Sequence, residues 1–205
     1  MRSVSPLRFP LDSLFSASSH IPILRTLQEC REGMSGRAIA REARINHQTC
    51  AVAIKNLESL GILQRQGSGH TQLIRLNFEN YLVNYSILPL LKQERELFKR
   101  IRNEIVISFK DVLVITIFGS TARGQEKMGS DIDVLFVVHE SKKNKILNKI
   151  TDYTSTFIYR FGVRLSPIVL TVDEVKLRIK RSDPLLKNIL SDGISLTPKK
   201  LQDLI

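Results

Sequence analysis

Two almost unbroken apolar runs constrain this chain more than any other feature: VLVITIFG at residues 112–119 and IDVLFVV at residues 132–138. A strand with one wet face alternates apolar and polar residues, so a run that is apolar at nearly every position needs cover on both faces. The pair predicts two central strands of a sheet with helices packed against it. The flanking segments supply such helices. Residues 90–109 carry an apolar stripe of Leu97, Phe98, Ile101, Ile105 and Phe109, and residues 142–159 carry Ile146, Ile150, Tyr153 and Phe157. A third strand-like run, GVRLSPIVL, follows at residues 162–170.

The segment joining the two apolar runs reads GSTARGQEKMGSDIDV, residues 119–134. Asp131 and Asp133 open the second strand with Ile132 between them. Residues i and i+2 of a strand point to one face, so the two carboxylates project side by side. Neighbouring anions at a hydrophobic sheet repel each other and lose hydration, which calls for a compensating cation. Paired carboxylates are the oxygen donors that Mg²⁺ (or Mn²⁺) takes, with phosphate oxygens completing its octahedron. Gly119 permits close backbone approach, and Ser120 offers an amide N–H and a hydroxyl to a phosphate. Arg123 can fork onto phosphate oxygens. Asp131 and Asp133 are thus the metal-binding and catalytic candidates; Gly119, Ser120, Arg123 and Ser130 are the nucleotide-binding ones. The plainer alternative makes Ser130 and Asp131 a turn cap and Asp133 a salt-bridged surface residue.

A strand, Gly-Ser, a loop and Asp-x-Asp on the neighbouring strand resemble the nucleotidyltransferases of the polymerase-β type. The phrase FGSTARGQEKMGSDIDVLFVV is especially similar to the minimal nucleotidyltransferases of bacteria and archaea. The likeness covers about residues 95–196. It implies a mixed sheet flanked by helices and transfer of a nucleoside monophosphate from a nucleoside triphosphate, with release of pyrophosphate and two divalent ions at work. Small relatives of this type act in toxin–antitoxin pairs on a helical partner toxin. The resemblance also implies a third acidic residue on a later strand, and the position aligned with it holds Ser166, followed by Pro167. A serine hydroxyl is a poor Mg²⁺ ligand and no general base at neutral pH. Asp173 and Glu174 come later, where they open the next helix. Two acids out of three predict weakened activity, or binding without turnover.

The first ninety residues have a different texture. Helical periods run from Ile21 to about Gly33, over residues 36–44, and over residues 47–60 with Cys50, Ile54, Leu57 and Leu60 inward. Two short β-type runs follow, residues 62–65 and 72–76, around Gly67-Ser68-Gly69. Three helices and a hairpin in this order resemble the winged helix-turn-helix family. That likeness implies DNA binding, with His47, Gln48, Thr49 and Lys55 on the exposed side of the third helix and Arg65 and His70 on the hairpin. Gln48 suits the N6 and N7 edge of adenine; Thr49 and Lys55 suit phosphates. A winged helix used for protein docking is the competing reading.

The expected organisation is α+β: a flexible arm (1–15), a winged helix-turn-helix (16–80), a linker (81–94) in which Pro89 breaks any helix, a nucleotidyltransferase-like domain (95–196) and a tail (197–205). A net charge of +11 favours a polyanionic partner. Two cysteines, Cys30 and Cys50, are too few for a disulfide framework and suit a cytoplasmic protein. No apolar run reaches the length of a membrane span. The four histidines lack metal-ligand spacing, and the lysines at 142, 143, 145 and 149 read as a solvated helix face. The expectation that emerges is a DNA-binding enzyme that uses Mg-NTP, with a partner protein, nucleic acid or small molecule as acceptor, in a self-regulating or toxin–antitoxin setting and with the 90–109 helix available for a homodimer. The alternative is a transcriptional regulator whose impaired domain senses a nucleotide or a partner.

Overall fold

The computed structural model describes residues 7–67 and 72–205, and the chain separates into two compact units between Glu96 and Leu97. In the first unit, α1 (Pro10–Leu14) starts on a proline, which a helix tolerates in its first turn. The arm expected there is therefore helical from Pro10, because Leu14 is drawn into the core and the Leu14 carbonyl is held by Nδ1 of the buried His20 at 2.8 Å. Next come α2 (His20–Gln28), α3 (Gly36–Glu42) and α4 (His47–Ser59). Ser35 caps α3 by accepting from the Ala38 N–H, and Asn46 caps α4 by accepting from the Gln48 N–H at 2.8 Å. Ile23, Leu24 and Leu27 of α2 meet Cys50, Ile54 and Leu57 of α4 in one apolar cluster. Strands β1 (Leu63–Gln66) and β2 (Leu73–Leu76) pair antiparallel, Leu63 opposite Leu76.

The expected break at Pro89 does not occur. A π-helical turn, Val83–Ile87, runs directly into α5 (Leu88–Ser108), of which Pro89 is the second residue. The N–H of Leu88 reaches back five residues to the Val83 carbonyl, and this wider turn gives the proline ring room that a regular turn denies it. Much of the expected linker is thus helix.

The second unit is built on a four-stranded mixed sheet, order β5-β4-β3-β6. β3 (Val114–Phe118) and β4 (Ile132–Val138) are its central, antiparallel pair. Every residue of β3 is buried, Thr116 included, as its nearly unbroken apolar run requires. β5 (Leu165–Thr171) lies parallel to β4, and the two-residue β6 (Ile194–Ser195) edges β3. On one face Ile115, Ile117, Val134 and Phe136 pack with Ile101, Ile105 and Phe109 of α5 and with Ile146, Ile150 and Phe157 of α7 (Lys143–Phe161). On the other, Val114, Leu135 and Val137 pack with Val175 of α8 (Val172–Lys180) and with Leu186 and Ile189 of α9 (Pro184–Asp192).

Asp173 and Glu174 open α8, as expected, and Glu174 forms a capping box with Thr171. The Lys143 ammonium and the Thr171 N–H hold the Glu174 carboxyl below the ordinary glutamate range. Lys142 and Lys145 lie near Asp111, at 3.7 and 3.9 Å, so the lysine-rich face of α7 is partly ion-paired. The expected tail also differs. Leu201–Leu204 form a 3₁₀ turn whose two leucines, three apart and so on one side, are 3% and 7% exposed and join the α8–α9 core.

Leu201→Ala should therefore cost the second unit about 2–5 kcal/mol, as a buried leucine does, against about 0.5 kcal/mol or less for exposed Lys199→Ala. Urea unfolding of both variants checks this; equal midpoints would mean that the 3₁₀ turn does not pack.

Candidate nucleotide-transfer site

The candidate residues gather where β3 ends and β4 and β5 begin. β3 leads into Gly119, where the chain turns at φ +74° into a four-residue helix, α6 (Gly119–Ala122). Phe118 is paired with Asp133 across the ladder, so the turn passes directly over the Asp133 carboxylate. A Cβ on Gly119 would fall on Oδ2 of Asp133, well inside contact distance. Two demands thus fix glycine here: a positive φ and a carboxylate in the space where a side chain would stand.

Ile132 points into the α5–α7 core, so Asp133, the next residue along β4, lies on the opposite face, the one covered by α8 and α9, while Asp131 immediately precedes the strand. Both aspartates are half-buried, and among the described residues neither has a lysine or arginine within ion-pair distance. The plainer alternative, a salt-bridged surface Asp133, is therefore absent from the structure. Asp133 pairs with Ser166 in the parallel β4–β5 register, so the serine stands beside the aspartate on the same face. Among the described residues no three His, Cys, Asp or Glu side chains converge as a metal cluster. Asp131 and Asp133 supply carboxylate oxygens, the donor type that Mg²⁺ would take.

The remaining predicted residues behave differently from one another. Ser120 is half-buried in α6, and its carbonyl accepts from the Gln125 N–H at 2.9 Å. Arg123 is exposed; its Nε donates to Gln125 Oε1 at 3.2 Å, and Nη1 lies 3.9 Å from Asp192 at the end of α9. The Ser130 hydroxyl accepts from the Lys127 N–H at 2.9 Å and so serves the turn that carries Asp131 into β4. Beside Asp131 opens a groove of about 530 Å³ lined by Lys127, Ser130, Gly162, Val163 and Arg164, with Glu126 at its rim. Sequence reasoning missed Lys127, Arg164 and Asp192. Arg164 lies 33 positions after Asp131, and only the β4–β5 pairing, with the Ile132 N–H donating to the Arg164 carbonyl at 2.8 Å, brings them together.

In the first unit His47, Gln48, Thr49 and Lys55 are exposed on α4. Arg65 is less available: its guanidinium forks onto Glu58, with Nε to Oε1 at 2.6 Å and Nη2 to Oε2 at 3.1 Å. His70 lies outside the described residues. Arg37, His47 and Arg65 line a cavity of about 620 Å³ between α3, α4 and the hairpin.

Gly119→Ala should destabilise the second unit by about 1–3 kcal/mol through positive-φ strain and displacement of the carboxylate. Combined with Asp133→Ala, which empties the contested space, its cost should shrink. Denaturant unfolding of the four forms gives the coupling, and full additivity would mean that the two residues do not touch.

The model of the family described as polymerase beta, nucleotidyltransferase matches residues 99–201. Two candidate protein adenylyltransferases of Methanocaldococcus jannaschii are similar. One is 36% identical over 83 residues, covering 40% of this chain and 55% of the relative. The other is 35% identical over 75 residues, covering 36% and 76%. The chain thus spans about half the length of the first of these relatives. A crystal structure of a candidate nucleotidyltransferase from Sulfolobus solfataricus matches at 28% identity and TM-score 0.27, over 49% of this chain and 76% of that one.

Proposed function

The chain belongs to the polymerase beta nucleotidyltransferase family, and on that premise we propose that its second unit binds Mg-NTP and transfers a nucleoside monophosphate to an acceptor oxygen. The observation that carries this reading is a pair of half-buried aspartates without a cationic partner among the described residues, Asp133 pressed under the Gly119 turn and Asp131 two positions before it. Asp131 and Asp133 hold the metal, which supplies charge neutralisation for the polyphosphate. The Gly119–Ser120 backbone lets the phosphates approach closely, and Ser120 donates to them. Arg123 swings from Gln125 and Asp192 onto a phosphate oxygen, a small rearrangement for an exposed side chain paired only at 3.9 Å. Adenylyl transfer to a protein is the activity suggested by the names of the two relatives, and a toxin–antitoxin pair is one setting for it.

Ser166 beside Asp133 favours a second reading, a domain that binds nucleotide with little turnover. Incubation with α-labelled nucleoside triphosphates, Mg²⁺ and cell lysate separates the two. Label transfer that falls at least a hundredfold in Asp131→Ala is the expected result. Nucleotide binding without transfer to any acceptor is the result of the second reading. No binding at all removes both.

For the first unit we propose a winged helix that presents α4 to DNA, through Gln48 at base edges and Thr49, Lys55 and His47 at phosphates, placing the enzyme at its own operator. The order α2-α3-α4-β1-β2 and the exposure of those four residues support it. Use of Arg65 costs the Glu58 pair. Affinity for the chain's own upstream DNA should fall by about tenfold or more between 50 and 200 mM salt, as release of condensed counterions requires. An affinity indifferent to salt would point instead to protein docking.

A further inference from the structure

Two features of the site bear on which acceptor it takes. Ser166 occupies the sheet position next to Asp133, so no carboxylate stands there to accept a proton from an attacking hydroxyl. The groove beside Asp131 carries two exposed cations, Lys127 from the loop before β4 and Arg164 at the start of β5, and neither has an ion-pair partner among the described residues. An aliphatic hydroxyl attacks phosphorus well only as its proton is removed by a positioned base. A phosphate monoester, with a second pKa near 6, is already dianionic at neutral pH and needs no such base. The same dianion is the ligand that a lysine and a forked arginine recognise.

We propose that the acceptor of this site is a phosphate monoester bound in the groove by Lys127 and Arg164; this rests on the nucleotidyl-transfer reading above. One terminal oxygen of the acceptor, already carrying its lone pair and charge, forms a bond to the α-phosphorus of the nucleoside triphosphate. The bond from that phosphorus to the bridging oxygen of the β-phosphate breaks, and its electron pair leaves on pyrophosphate. The product is a phosphoanhydride joining acceptor and nucleoside monophosphate, and no proton changes hands. The groove, at about 530 Å³, is large enough for a phosphoryl group with the first part of its carrier. Besides Asp131, which the reading assigns to the metal, the groove is lined by one further carboxylate, Glu126, the group there that would serve as a base toward a hydroxyl acceptor.

The test uses the full chain, α-labelled ATP and Mg²⁺ with a pair of synthetic acceptors, the same 3′-blocked oligonucleotide bearing either a 5′-phosphate or a 5′-hydroxyl, beside a hydroxyl-bearing peptide. The expected result is at least tenfold more label on the 5′-phosphate oligonucleotide than on either hydroxyl acceptor. Arg164→Glu and Lys127→Glu should each lower that preference at least fivefold, a change in ratio that a merely unfolded variant would not produce. Ser166→Asp should raise transfer to the hydroxyl acceptors. Equal or greater labelling of a hydroxyl acceptor overturns the proposal, as does a preference unaffected by both charge reversals. So does hydroxyl labelling that vanishes in Glu126→Gln, which would make Glu126 the base. Failure of the underlying reading looks different: fluorescent ATP would then not bind the wild-type chain, and no acceptor would be labelled.

Discussion

The second unit depends on a conflict of charge resolved by backbone shape. Two aspartates two positions apart, one at the start of a buried strand and one just before it, place like charges beside an apolar sheet, where each loses hydration. Among the described residues neither is paired with a lysine or arginine. The chain brings the glycine at the end of the neighbouring strand over Asp133, closer than any residue with a Cβ could come. The carboxylates remain half-exposed and so keep part of their hydration, and the proposed divalent cation would relieve the rest of their repulsion.

Around that point the architecture is arranged for rigidity. β3 and β4 are largely buried and covered by helices on both faces, so Asp133 stands at the start of a packed central strand, with Asp131 just before it. The groups proposed to meet the ligand's outer parts are different in kind. Arg123, Lys127 and Arg164 are exposed and weakly held or unpaired. This division, fixed anions within and adaptable cations at the rim, suits a site that must hold one geometry at the metal and admit a charged substrate from solvent. The serine beside Asp133 departs from it at the one place where a proton acceptor would be expected.

Corrections to the sequence reading share a physical origin. Pro89 carries a local rule against helix, and a single widened turn upstream was enough to override it. Residues 10–14 and 201–204 lack a long period, so they read as an arm and a tail; each contributes a side chain to a core built by distant segments. Short elements carry too few residues for a pattern, and their order comes from burial against partners far along the chain.

What the amino-acid order by itself determined was the identity of the central strands and the pairing of Asp131 with Asp133. Both follow from the two-residue period of a strand, a property of the local backbone. It also singled out Gly119 as the turn at the end of the first strand, a position whose positive φ few other residues adopt. Only the tertiary structure decided that Ser166 stands beside Asp133, that Arg164 and Lys127 share a groove with Asp131, and that Arg65 is engaged by Glu58. Those neighbours are set by which strands pair and in what register, and register is a choice made by the whole core, which no window of residues contains.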